Sequence, residues 1–236
     1  MYRICIGGMG MKDNKVMETN NQKQSLPYKV ISGIFVVINL IIAFLVYPKL
    51  PEQVPNHWNF AGEVDGYAGS FQGAFFLPLL ILGLYIMFWI IPLIDPKRAN
   101  YLKMGKVFWI VSTALIIFCS LLYYATLGVA LGYFETLPRW YFAGIGVLFI
   151  LLGNYFGKIK FNYTFGIRTP WTLANEEVWL KTHRFAGPLW VVGGALFCLV
   201  GFLPPSFTAV IFGIVLCIIA VIPMVYSYLL FRKLEQ

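Results

Sequence analysis

Six stretches of this chain run without a single Asp, Glu, Lys or Arg: roughly residues 30–47, 71–94, 107–133, 140–157, 187–203 and 206–231. An uncharged apolar run of ~20 residues is long enough to cross the hydrocarbon core of a bilayer. Each run therefore predicts a transmembrane helix. The second, third and sixth are longer than a straight crossing needs, which predicts tilt or protrusion into the headgroups. Barrel strands would alternate apolar and polar positions over ~10 residues, and these runs do not. The pattern predicts an all-α membrane protein, a bundle of about six transmembrane helices. It divides into a disordered cytoplasmic tail over 1–28, a first pair of spans over 29–94 and a four-span region over 107–236.

Composition agrees with the pattern. Of 236 residues, 59% are hydrophobic and 12% charged, about half the charge of a typical soluble domain. The first 28 residues are polar or mixed and the first apolar run comes too late for a cleavable signal, so it reads as an uncleaved anchor. The four cysteines (Cys5, Cys119, Cys198 and Cys217) are scattered, with no metal or redox spacing, and read as small packing residues.

The net charge of +8 is a topology signal. With the N-terminus placed in the cytoplasm, all 18 basic residues except Lys49 and Arg139 fall in cytoplasmic segments, as the positive-inside rule requires. Both termini are then cytoplasmic, the loop at 48–70 faces out, and the loop at 158–186 faces in. Because the basic residues cluster at span ends, membrane lipid is their expected partner and no direct nucleic-acid contact is implied.

No ionisable residue lies at depth in any run, which argues against an ion-coupled transporter. There is no phosphate-binding loop to couple ATP. Asn154 and Gln72 stand out as the most polar span residues. Gly128/Gly132 and Gly153/Gly157 are small-xxx-small pairs of the kind that let helices approach closely.

The chemistry is concentrated in two polar islands. The outer one reads "PEQVPNHWNFAGEVDGYAGS" at 51–70. Its prolines disfavour helix and its glycines permit tight turns, predicting a compact structured loop. His57, Glu63 and Asp65 are one histidine and two carboxylates without a further ligand, so hydrogen bonds that order the loop are favoured over a metal site. Trp58, Phe60 and Tyr67 suit either the headgroup interface or a contact surface for something arriving from outside.

The inner island contains "GIRTPWTLANEEVWLKTH" at 166–183. Gly166 predicts a turn. Thr172 is placed to cap a helix beginning at Leu173, or Asn175 one beginning at Glu176, with Glu176 and Glu177 in the first turn. Val178, Trp179, Thr182 and Phe185 trace one helical face. The expected element is a short interfacial helix that feeds the fifth span across Gly187-Pro188. Glu176 and His183 are spaced to share a face as acid and base, but no nucleophile with an adjacent base accompanies them. Arg168 is suited to pair with a carboxylate, on a partner or on Glu176 or Glu177, or to anchor at the headgroups.

Residues 153–187, "GNYFGKIKFNYTFGIRTPWTLANEEVWLKTHRFAG", resemble the signature of the SdpI family, membrane immunity proteins against the sporulation-delaying toxin peptide. The resemblance rests on Gly153, Asn154, Gly157, Asn162, Gly166, Ile167 and Arg168. It continues through Thr169, Pro170, Trp171, Thr172, Trp179, Thr182, His183 and Gly187. Phe161 departs from it, standing where many relatives are expected to carry proline. The outer island is similar to a small domain often found upstream in that family, through Pro51, Pro55, His57, Trp58, Gly62, Asp65 and Gly66.

The resemblance implies a non-enzymatic protein without cofactor or metal that meets a secreted toxin peptide through Pro55, His57, Trp58, Gly62 and Asp65. It also implies a second role, capture of a winged-helix repressor through the inner motif from Asn162 to His183. The alternative is a membrane enzyme or transporter acting on a lipid or small molecule.

Overall fold

In the computed structural model, residues 11–59, 63–137 and 140–235 are described. The elements are α1 (Met11–Val46), the hairpin strands β1 (Gln53–Trp58) and β2 (Val64–Gly69), α2 (Ser70–Ile94), α3 (Arg98–Met104) and α4 (Val107–Ala130). They continue with α5 (Trp140–Phe156), α6 (Pro170–Ala174), α7 (Glu176–Val200) and α8 (Pro205–Leu234). Helices α1, α2, α4, α7 and α8 are long and apolar enough to cross a membrane, and α5 is a shorter apolar helix. This is an all-α membrane protein with one small hairpin.

Two differences from expectation concern helix ends. Of the tail expected to be disordered over 1–28, residues 1–10 lie outside the described residues and 11–28 are helical as part of α1, with Asn21 donating from its side chain to the Leu102 carbonyl at 2.6 Å. The expected interfacial helix and fifth span are one helix, α7, with Pro188 inside it. Proline there removes one backbone hydrogen bond, and the helix runs through without a break.

Helices α1 and α4 are held by a ladder of polar residues. Ser32 and Thr113 share a hydroxyl contact at 2.9 Å. Seven residues along each helix, Asn39 donates to Ser120 Oγ at 2.8 Å. Asn39 is fully buried, whereas Asn154, expected to be a notable polar span residue, is exposed. Tyr123 on α4 donates to the Ala74 carbonyl of α2 at 2.9 Å, which brings the third helix into the group.

Helices α5 and α7 meet through glycines. A Cβ on Gly146 would stand 2.4 Å from the Gly194 carbonyl oxygen, and one on Gly194 would stand 2.6 Å from the Gly146 oxygen. One heptad further on, Gly153 and Gly187 repeat the relationship at 2.7 and 2.9 Å. The backbones touch with no side chain between them. Of the two small-xxx-small pairs read from sequence, only Gly153 takes part. Gly128 lies under Phe134, and Gly132 sits in a turn with φ +76°.

The hairpin lies across the end of α2. Its strands pair antiparallel, with irregularities either side of His57. Val54 is buried against Gly73, where any side chain would collide with it.

Candidate functional site

At the hairpin end, a cavity of about 410 Å3 opens between the hairpin and the ends of α2, α4 and α5. Pro55, His57 and Trp58 line it from the hairpin, facing Phe76, Leu122 and Tyr141. The Trp58 indole N–H is buried without a hydrogen-bond partner. A mainly apolar pocket with this unused buried donor suits an aromatic or aliphatic group carrying an acceptor. Asp65 does not line the cavity; its carboxylate meets His57 Nδ1 at 2.5 Å on the exposed side of the hairpin. That contact links β1 to β2 across the hairpin. Gly62 lies outside the described residues.

At the other end, the loop at 157–169 is folded around two buried polar side chains. Asn162 Oδ1 accepts from the Thr164 and Phe165 N–H groups at 2.9 and 2.8 Å, and its amide donates to the Lys160 carbonyl at 2.9 Å. The second is Asp95, just past the C-terminus of α2. It accepts the Thr164 hydroxyl at 2.7 Å, the Tyr101 hydroxyl at 2.9 Å, the Tyr163 N–H at 3.0 Å and the Lys97 N–H at 2.7 Å. Burial pushes its carboxyl up, but these four donors outweigh that and hold it below the usual carboxylate range. Burial and the adjacent Asp95 charge raise Tyr101 well above its ordinary value, so it remains a donor.

Sequence reasoning missed Asp95, Tyr101 and Asn100, whose amide donates to the Phe161 carbonyl at 2.7 Å. The available signal was the lone acid of "DPKR", set among bases at a span end.

Gly166 has φ +116°, and a Cβ there would stand 2.6 Å from His183 Nε2. This close approach lets the Ile167 N–H donate to His183 Nε2 at 2.9 Å, while Nδ1 meets the Trp179 carbonyl at 2.8 Å. One ring nitrogen accepts and the other donates, which fixes a neutral imidazole with its proton on Nδ1. His183 is fully buried, stacked on Trp179 at 4.2 Å between ring centroids. Trp179 in turn donates to the Ile159 carbonyl at 3.1 Å. With both nitrogens committed, His183 is not an acid–base partner for Glu176.

Thr169 and Thr172 form a reciprocal cap on α6, and Thr169 Oγ1 also meets Ser227 of α8 at 3.0 Å. Asn175, not Thr172, caps the long helix, accepting from the Glu177 and Val178 N–H groups. Arg168 donates to the Tyr163 carbonyl at 3.2 Å. It does not pair with Glu177, whose carboxylate is held by Lys181 at 2.6 Å, and among the described residues no ion pair joins it to Glu176. Pro170 is exposed, and Trp171 packs half-buried on Tyr228. Thr182 is buried, its hydroxyl without a partner.

Of the inner motif, then, Asn162, Thr169, Thr172, Trp179, Thr182 and His183 are interior. Arg168 and Pro170 form its surface, beside Tyr163.

Comparison with known proteins matches the region that holds these residues. The SdpI/YfhL protein family profile matches residues 158–227. A domain of unknown function, DUF1648, matches residues 34–82, covering the hairpin, the end of α1 and the first half of α2. The Immunity protein SdpI of Bacillus subtilis (strain 168) is 26% identical over 206 residues, which is 87% of this chain and 97% of that protein. Residues 158–227 thus carry an SdpI/YfhL family region, and the chain over most of its length is similar to an immunity protein of that name. No solved structure matches it. The matched SdpI/YfhL region coincides with the loop closed by Asn162 and His183 and with α6, α7 and most of α8.

Proposed function

We propose that this chain is a membrane immunity protein, protecting its cell from a secreted antimicrobial peptide by binding and without catalysis. The observation that carries this reading is similarity to Immunity protein SdpI across nearly the whole of both chains, hairpin region and inner loop together. In this reading both termini are cytoplasmic and the hairpin faces outward, where its cavity receives an apolar side chain of the toxin beside Trp58. The inner loop is a folded platform that presents Arg168, Tyr163 and Pro170 to the cytoplasm. A repressor with an acidic face would dock there, Arg168 supplying the charge. Peptide binding signals across the bundle only through unequal affinity for two arrangements of it.

The test is survival of a sensitive strain lacking its own immunity gene, expressing this protein and dosed with purified sporulation-delaying toxin peptide. Wild type protects. Trp58→Ala, compared at equal membrane abundance, loses protection, whereas Arg168→Ala keeps it and loses only repressor capture in a pull-down. Full sensitivity with wild-type protein abundant in the membrane would overturn the reading.

A further inference from the structure

At the end of the bundle opposite the hairpin, a second cavity of about 300 Å3 is enclosed by α1, α2, α3 and α4. Its lining is divided. Lys29, Arg98, Gln22 and Ser25 supply the polar part, and Trp89, Leu93, Phe108 and Trp109 the apolar part.

The Lys29 ammonium sits between two indoles, 4.7 Å from the Trp89 centroid and 4.6 Å from the Trp109 centroid. Stacking against ring faces holds a cation in place without neutralising its charge. Among the described residues no carboxylate pairs with Lys29 or Arg98, and the Gln22 amide makes no hydrogen bond. The acid nearest Arg98 in sequence, Asp95, is already surrounded by its four donors. Two cations without a carboxylate partner, both lining one half-open cavity, favour an anion there.

The apolar side leads outward: Leu93, in the lining, and Ile94 beside it are among the most exposed residues of α2. We infer that this cavity binds a phosphate-bearing anion with an apolar tail, the phosphate between Lys29 and Arg98 and the tail along Leu93. An anionic phospholipid in the adjacent leaflet has this chemistry; free phosphate shares only the charged half. Tyr101 lines the cavity and also donates to Asp95, so the occupant rests against the clamp that holds the inner loop.

The test is native mass spectrometry of the full-length protein in detergent, titrated with phosphatidylglycerol or phosphatidylcholine. Two juxtamembrane cations predict about tenfold or greater preference for phosphatidylglycerol. Lys29→Gln with Arg98→Gln abolishes the preference. Lys103→Gln with Lys106→Gln removes the same charge from exposed neighbours outside the cavity and leaves it intact. If the first pair does not yield folded protein, Arg98→Gln alone, at an exposed helix start, reduces the preference several-fold. Displacement of bound lipid by millimolar inorganic phosphate would support the site and assign it to a soluble anion. An unchanged preference in the Lys29/Arg98 pair, or equal loss in the control pair, would overturn the inference.

Discussion

The Thr164 hydroxyl donates to the Asp95 carboxylate at 2.7 Å, across 69 residues of chain, and so pins the loop after α5 to the end of α2. Asp95 thereby joins the two halves of the bundle at its basic end. Replacing it with Ala strands several buried donors, which predicts a loss of about 3 kcal/mol. Thermal unfolding of Asp95→Ala in detergent measures this; a change within error would remove the clamp from the account.

The same carboxyl predicts an acid dependence. Its folded-state value is held below the ordinary 3.8, so its contribution is complete above that value. The contribution is lost as pH falls through the folded-state value. Between pH 7 and 5 this group adds no slope, and below about pH 4 wild type loses stability that Asp95→Asn does not lose in parallel. Melting temperature against pH for the two proteins gives the comparison.

Gly166→Ala places a methyl group where His183 Nε2 stands, in a backbone conformation that disfavours a side chain. A cost of about 2 kcal/mol or more follows from strain alone. Tryptophan emission shifts as well, because displacing His183 uncovers Trp179. A normally stable Gly166→Ala protein would mean the loop relaxes without disturbing the ring.

Asn39→Leu with Ser120→Ala removes one rung of the α1–α4 ladder. Interhelical hydrogen bonds in bilayers contribute roughly 0.6–2 kcal/mol, and Asn39 Oδ1 already lacks a partner. The pair of substitutions should therefore destabilise by less than about 2 kcal/mol, and resistance to unfolding in mixed micelles reads the difference. A larger loss would assign Asn39 a further role.

At the hairpin, His57 and Asp65 are exposed, and surface pairs of this kind contribute ~0–1 kcal/mol. His57→Ala leaves abundance and melting temperature nearly unchanged. Any loss of protection from toxin in that variant then reports contact rather than folding.

The spans were legible in the sequence because bilayer thickness imposes a length on them, and the inner motif because its residues are an unusual set. What was illegible depended on pairing. Asp95 reads locally as the only acid in a basic turn, and nothing in "DPKR" names Thr164 or Tyr163 as its donors. Asn39 was passed over because a single amide in an apolar run does not reveal the serine opposite. Pro188 suggested a break after Gly187, but neighbouring helices hold α7 together where one hydrogen bond is missing. The motif residues were read as a surface for a partner, whereas most of them, His183 above all, are the interior of the loop.

The glycine seam bears on how the protein is made. The uncharged run at 140–157 that holds α5, bounded in sequence by Arg139 and Lys158, covers about 27 Å as a helix, short of the ~30 Å of hydrocarbon. It leaves the ribosome before the helix whose glycines fit its own. Its settled depth in the bilayer therefore belongs to the α5–α7 pair and is fixed only after the later partner has been synthesised.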